Sequence, residues 1–225
     1  MANKEAFLRF LAGKGSAPVL FEPFISRRHT ETLIWRRGAR LWNTPEHEIS
    51  TLVSLTERTR ADAVFVDLRG RDENGVREML EVLGSTRAAF PSLCFGVMTD
   101  QPEHARIAEA SADVLCAYGS ASSSNLPVIR MDGTAADALA RGESAWFAPS
   151  DAELHLARCG DRLRILGGLG TDSLGAPAEV YARVEKLASD AGGRWAVGSG
   201  GVIGDEDYLG LIALLGAYGR VHGDF

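Results

Sequence analysis

At 225 residues the chain is long enough to bury a large core as one domain, and its formal net charge of −6 leaves no basic footprint for nucleic acid. No apolar run reaches the roughly 18 residues of a membrane span. The three cysteines, Cys94, Cys116 and Cys159, are far apart and form no C-x-x-C pair. That pattern gives no support to a disulfide frame or a Cys-rich zinc site and points to a reducing compartment, so the expected location is the cytoplasm.

In chain order, the first fifteen residues put Phe7, Leu8, Phe10 and Leu11 on one helical face. The segment is too short and too charged for a secretory signal and reads as a docked helix. Val19–Ile25 is the first strand candidate. Thr44-Pro45-Glu46 then supplies a cap-like start to an amphipathic helix through Ile49–Thr59. Further strands are expected at Ala63–Leu68, Leu93–Met98, Asp113–Tyr118, Pro127–Met131, Ala145–Ala148, Leu163–Leu166 and Trp195–Val197. These are near-continuous apolar runs, as strands covered on both faces should be. Helices are expected at Val76–Leu83, Glu103–Ala110, Ala135–Ala140, Asp151–Ala157, after Pro177, and at Asp205–Tyr218, while Ser120–Asn125 reads as a loop. Eight strands alternating with helices predict a compact α/β fold, a parallel (β/α)8 TIM barrel spanning residues 1–225 as one domain, with short helices or loops between strands two and four. The alternative is a doubly wound open sheet, although no G-x-G-x-x-G follows the first strand.

A barrel places its active site at the C-terminal ends of the strands. Arg27, Arg28, Arg69 and Arg130 fall there beside Asp67 and Asp132, a set able to hold an acidic small molecule. Asp67 directly follows Ala63-Val64-Phe65-Val66 and should lie near the barrel axis, where a charge needs a partner. Ser199, Gly200 and Gly201 end the last strand before a helix, a turn that could also grip a phosphate through backbone N–H groups. His29, His47, His104, His155 and His222 are scattered and no His-x-Cys pair exists, so no metal is expected.

Several stretches together resemble the uroporphyrinogen decarboxylase superfamily, which includes the methyltransferases that serve corrinoid proteins. Ser144–Leu174 is similar to its strand, acidic helix, "G-D-[KR]-[VL]" turn and "GN-[LI]-D" strand end. Pro177–Leu187 resembles the "T-P-E-E-V" helix, Ser199–Leu214 the closing "SGG" segment, and Leu126–Gly133, Ala61–Asp67 and Pro18–Arg27 earlier strands. The resemblance implies a (β/α)8 barrel. It also matches Arg27 to the second of two carboxylate-binding arginines, Asp67 to the carboxylate that holds pyrrole N–H groups, and Ser120 to a substrate-binding serine. The first arginine falls on Pro23, and the histidine after strand eight is replaced by Gly200-Gly201. Three function classes follow. One is a decarboxylase-like carbon–carbon lyase, with Asp67 and Arg27 catalytic and Arg28, Arg69, Ser120, Arg130, Asp132 and Ser199–Gly201 binding a carboxylate-bearing substrate or tetrapyrrole. The second is methyl transfer with a corrinoid protein or folate, and the third a barrel that binds a ligand or partner without chemistry. No bound cofactor, nucleic acid or membrane is expected, and a homodimer stays open as the assembly.

Overall fold

The computed structural model describes residues 4–15, 19–22, 24–25, 30, 44–123, 125–170, 174–204 and 207–223. Its eight strands are β1 (Val19–Leu20), β2 (Ala63–Asp67), β3 (Cys94–Thr99), β4 (Val114–Ala117), β5 (Val128–Arg130), β6 (Ala145–Ala148), β7 (Arg164–Gly167) and β8 (Trp195–Val197). All paired strands are parallel, in the order β1-β8-β7-β6-β5-β4-β3-β2, so the expected (β/α)8 barrel is present and nearly closed. Only β1 and β2 share no ladder among the described residues.

The helices are α1 (Lys4–Leu11), α2 (Pro45–Thr59), α3 (Glu73–Ala89), α4 (Pro102–Ala108), α5 (Ala135–Ala140), α6 (Ala152–Cys159), α7 (Pro177–Ala191) and α8 (Tyr208–His222). Local chemistry sets their starts. Thr44 accepts the N–H of His47 ahead of Pro45, Asp72 accepts the N–H of Gly75, and Thr134 with Asp137 closes a capping box on α5. The expected short connection between strands two and four holds for α4, at 7 residues, but not for α3, at 17. The sequence pattern resolved only Val76–Leu83 because that is where α3 buries its apolar face; both ends are solvated.

Alternation along the strands divides the core into three parts. Phe21, Ala63, Phe65, Cys94, Met98, Val114, Cys116, Ile129, Phe147, Leu166 and Ala196 point inward and fill the barrel. Phe65 stands edge-on to Phe21 at 5.1 Å and 71°, and Gly96 leaves room for its ring, where a Cβ would collide. Outward-facing residues of β2–β4 pack on α2–α4, and those of β6–β8 on α6–α8. The docked N-terminal helix is confirmed. Phe7, Phe10 and Leu11 close the barrel floor, Lys4 pairs with Asp113 at 2.7 Å, and Arg164 donates to the Gly13 carbonyl at 2.8 Å. No helix among the described residues is long and apolar enough to cross a membrane.

Candidate active site

The C-terminal ends of the strands open onto a cavity of about 460 Å³, within the range of small-molecule sites. It runs from the mouth into the unpaired seam between β1 and β2. Phe24, Ile25, Leu52, Leu55, Phe65, Met98 and Val202 supply apolar wall, and Glu22, Glu48, Asp67, Arg69 and Arg71 supply charge.

Glu22 dominates this site. It follows β1, whose ladder continues as Phe21 N–H donates to the Val197 carbonyl at 2.8 Å. With Phe21 turned into the barrel, Glu22 faces β8, where its carboxyl meets Ser199: the N–H donates to Oε2 at 2.9 Å, and Oγ lies 3.0 Å from Oε1. The Phe24 N–H adds a third contact. Glu22 is 8% exposed. Its burial outweighs these hydrogen bonds and pushes the carboxyl up to about 7. The residue was legible only as a carboxylate stranded in the apolar run Val19–Ile25, and reading that run as strand alone passed over it.

Asp67 ends β2 and faces the mouth, as alternation requires. It is not a lone axial charge. Arg69 grips it side-on, Nε to Oδ1 at 2.9 Å and Nη2 to Oδ2 at 2.7 Å, and both side chains are more than a third exposed. The guanidinium lies 4.2 Å above the Tyr118 ring, and burial pushes the Tyr118 hydroxyl up to about 12. Arg71, which the sequence did not single out, donates to the Asp67 carbonyl at 2.8 Å and to Glu48 at 2.6 Å. Two guanidinium groups therefore line the cavity in orientations set by acidic neighbours. Each uses only part of its five donors on the protein.

The other expected residues are elsewhere or engaged. Arg27 and Arg28 lie outside the described residues. Arg130 points outward from β5 and is 1% exposed. It holds Glu143 through Nε at 3.0 and 3.1 Å and through Nη2, and it donates to the carbonyls of Gly119 and Ala121 at 3.1 and 3.0 Å. Asp132 accepts the Gly119 N–H at 2.6 Å. Ser120 is exposed and borders, with Arg130 and Asp132, a separate hollow of about 310 Å³ on the β4–β5 side.

The glycines after β7 and β8 serve packing. A Cβ on Gly167 would strike the Ser199 carbonyl, one on Gly198 the Phe21 carbonyl, and one on Gly200 the Pro149 carbonyl. Gly200 N–H donates to Gly170 O at 2.5 Å, and Gly201 O accepts from Ser199 Oγ at 2.7 Å. At the start of α8 a carboxylate is already present: Asp207 accepts the Leu174 N–H at 2.6 Å. A phosphate grip on Gly200 therefore lacks its principal donor. Cys116 is buried in the barrel, and burial pushes its thiol far above the ordinary range. Among the described residues, His, Cys, Asp and Glu nowhere gather in threes.

No family model matches the chain, and no curated protein matches it. Among solved structures it is similar to the 4-hydroxy-2-oxoglutarate aldolase/2-deydro-3-deoxyphosphogluconate aldolase from TTHB1. That chain is 19% identical with a TM-score of 0.47, and the match covers 96% of this chain and 98% of the other. The resemblance to the uroporphyrinogen decarboxylase superfamily is corrected here, since the matched structure bears the name of an aldolase, a different superfamily. The motifs that carried the resemblance have local explanations. Gly160–Arg162 is a 3-10 turn leading into β7, and Ser199–Gly201 is glycine-rich because the β6, β7 and β8 loops stack on one another. The tetrapyrrole ligand and corrinoid partner rested on that resemblance and lose their footing with it.

Proposed function

We propose that the chain is a small-molecule enzyme, a carbon–carbon lyase that acts on a carboxylate-bearing substrate with an apolar body. Glu22 is the proton carrier, and Arg69 and Arg71 dock the carboxylate. The observation that carries the reading is Glu22: a buried carboxyl, poised near neutrality, at the edge of a largely apolar cavity that also holds two arginines. Breaking a carbon–carbon bond next to an electron-withdrawing group leaves an electron pair on carbon. A neutral carboxylic acid can deliver a proton to that carbon, and the resulting carboxylate can take a proton from substrate or water to reset. The apolar walls strengthen the attraction between arginines and a bound carboxylate. Covalent catalysis through a lysine Schiff base finds no residue here. The only lysines are Lys4, Lys14 and Lys186; Lys4 sits at the barrel floor and Lys186 on the exposed side of α7, paired with Asp190.

The test is turnover of a panel of small 2-oxo and 2-hydroxy carboxylates bearing aliphatic or aromatic tails, read by mass spectrometry. Glu22→Gln is expected to lower kcat by about 10²- to 10⁴-fold, and Arg69→Ala and Arg71→Ala to raise KM. Binding without turnover, or turnover indifferent to Glu22→Gln, would sink the reading. A methyl-transfer reading has no supporting observation in this site. The non-catalytic barrel survives as the outcome in which carboxylates bind and none is consumed.

A further inference from the structure

We propose that Ser199 is a two-position switch that ties the proton on Glu22 to the loop between β8 and α8. The inference concerns the same carboxyl as the proposed reaction but does not depend on turnover. Ser199 Oγ carries one hydrogen and lies between two oxygens, Glu22 Oε1 at 3.0 Å and the Gly201 carbonyl at 2.7 Å. The carbonyl can only accept. With the hydroxyl hydrogen on that nearer carbonyl, Ser199 presents a lone pair to Glu22, and the contact is a hydrogen bond only when Oε1 holds a proton. Glu22 then donates to Ser199, Ser199 donates to Gly201, and Oε2 accepts the Ser199 N–H at 2.9 Å. Every polar atom in the chain of contacts is used.

Loss of the proton reverses the hydroxyl. Ser199 turns to the ionised Oε1, the solvent-exchangeable proton leaves through the cavity, and the Gly201 carbonyl gives up this donor. Gly201 precedes Val202, which lines the cavity and is 61% exposed. The next tie of the loop is long, from Ile203 N–H to the Phe24 carbonyl at 3.4 Å. Ionisation of Glu22 thus loosens the cavity wall that Val202 forms. Among the described residues, the other charged groups on the cavity are Glu48 from α2 and Asp67, Arg69 and Arg71 from the end of β2 and the turn after it. Arg69 pairs with Asp67 and Arg71 with Glu48, and among the described residues the hydrogen-bond partners of Glu22 are the neutral groups of Ser199 and Phe24.

The sign of one substitution decides the matter. Removing the hydroxyl in Ser199→Ala takes an acceptor from the neutral acid and a donor from the ionised one, and the charge-assisted bond to the ionised form is the stronger loss, so the Glu22 midpoint, followed by carbon-13 NMR of labelled glutamate and assigned with Glu22→Gln, should rise by about one pH unit. A midpoint that falls means the hydroxyl never turns to the ionised carboxylate, and one that does not move means it serves neither form; both overturn the proposal. A second arm leaves Ser199 untouched. Val202→Trp fluorescence should step with pH at the Glu22 midpoint, and the step should vanish in Val202→Trp/Glu22→Gln. A step that persists in the double variant overturns the coupling, and so does the absence of any step in Val202→Trp alone.

Discussion

Glu22 should give the stability of the protein a dependence on pH. Its folded value of about 7 lies above the 4.5 of an unperturbed glutamate, so between those limits the folded state keeps a proton that the unfolded chain releases. Stability therefore falls as pH rises from about 4.5 to 7 and is flat beyond, with a total loss of about 3 kcal/mol. Glu22→Gln should abolish that slope and gain most of it back at pH 8, measured by urea unfolding across pH. Unchanged slopes would remove Glu22 from its assigned role. Arg130 behaves in the opposite way. It is buried against Glu143 and main-chain carbonyls, so Glu143→Ala strands a charge and should cost about 3–5 kcal/mol. The Asp67–Arg69 pair, by contrast, is exposed enough that Asp67→Asn should cost no more than about 1 kcal/mol. A large effect of Asp67→Asn on turnover would then report chemistry. In the sequence, Arg130 and Asp67 look alike, each a charge closing an apolar run. The parity of the strand separates them: Asp67 falls on the inward side of β2, and Arg130 on the outward side of β5 between the inward Ile129 and Met131.

At the scale of elements, glycine has two different meanings. Gly200 lies where a Cβ would overlap the Pro149 carbonyl and come within 2.8 Å of Gly170 O. Gly200→Ala should destabilise by about 1–3 kcal/mol or more and disturb the mouth. Gly84 lies inside α3, and a Cβ there meets the Ser111 side chain at ordinary contact, Oγ at 3.4 Å and Cβ at 3.8 Å. Gly84→Ala should stabilise by about 0.5–1 kcal/mol through the lower entropy of the unfolded chain. Thermal unfolding of the pair checks both signs at once. Helix starts were legible because caps and Pro at the first turn act within a few residues, as at Thr44-Pro45 and at Pro177. Helix ends were not. The expected end of the last helix at Tyr218 is overrun to His222, because α8 continues until Gly223 enters the left-handed region at φ 81°.

At the scale of the molecule, the barrel is held where its ladder is missing. Asp62, 2% exposed, accepts the Leu20 N–H at 3.0 Å and the Tyr218 hydroxyl at 2.9 Å. One carboxylate thereby joins the first strand, the entry to the second and the last helix. Asp62→Ala removes the acceptor that both groups share and should cost about 2–4 kcal/mol. Tyr218→Phe should cost less, since Asp62 keeps the Leu20 N–H. If unfolding shows Asp62→Ala to be neutral, the seam is closed by other contacts. The floor has a comparable clasp. Asp113 takes Lys4 at 2.7 Å, Arg87 at 2.8 Å and the Phe95 N–H at 3.1 Å, tying α1 to α3 and β3.

By itself the sequence determined the architecture. Apolar runs of strand length, spaced by capped helical segments, are buried by a parallel sheet with helices outside, eight of them favour closure into a barrel, and every strand candidate became a strand. It also determined which end of the barrel carries the charged mouth, because that follows from chain direction. The tertiary structure decided which charges face that mouth and in what state. Glu22 owes its raised pKa to burial, which outweighs the hydrogen bonds from Ser199, a residue 177 positions away. Arg130 owes its structural duty to Glu143 and the β4–β5 loop, and the glycines of β7 and β8 owe theirs to carbonyls on neighbouring loops. A pKa and a steric requirement depend on what is packed within a few ångströms, and in a barrel those neighbours come from every part of the chain.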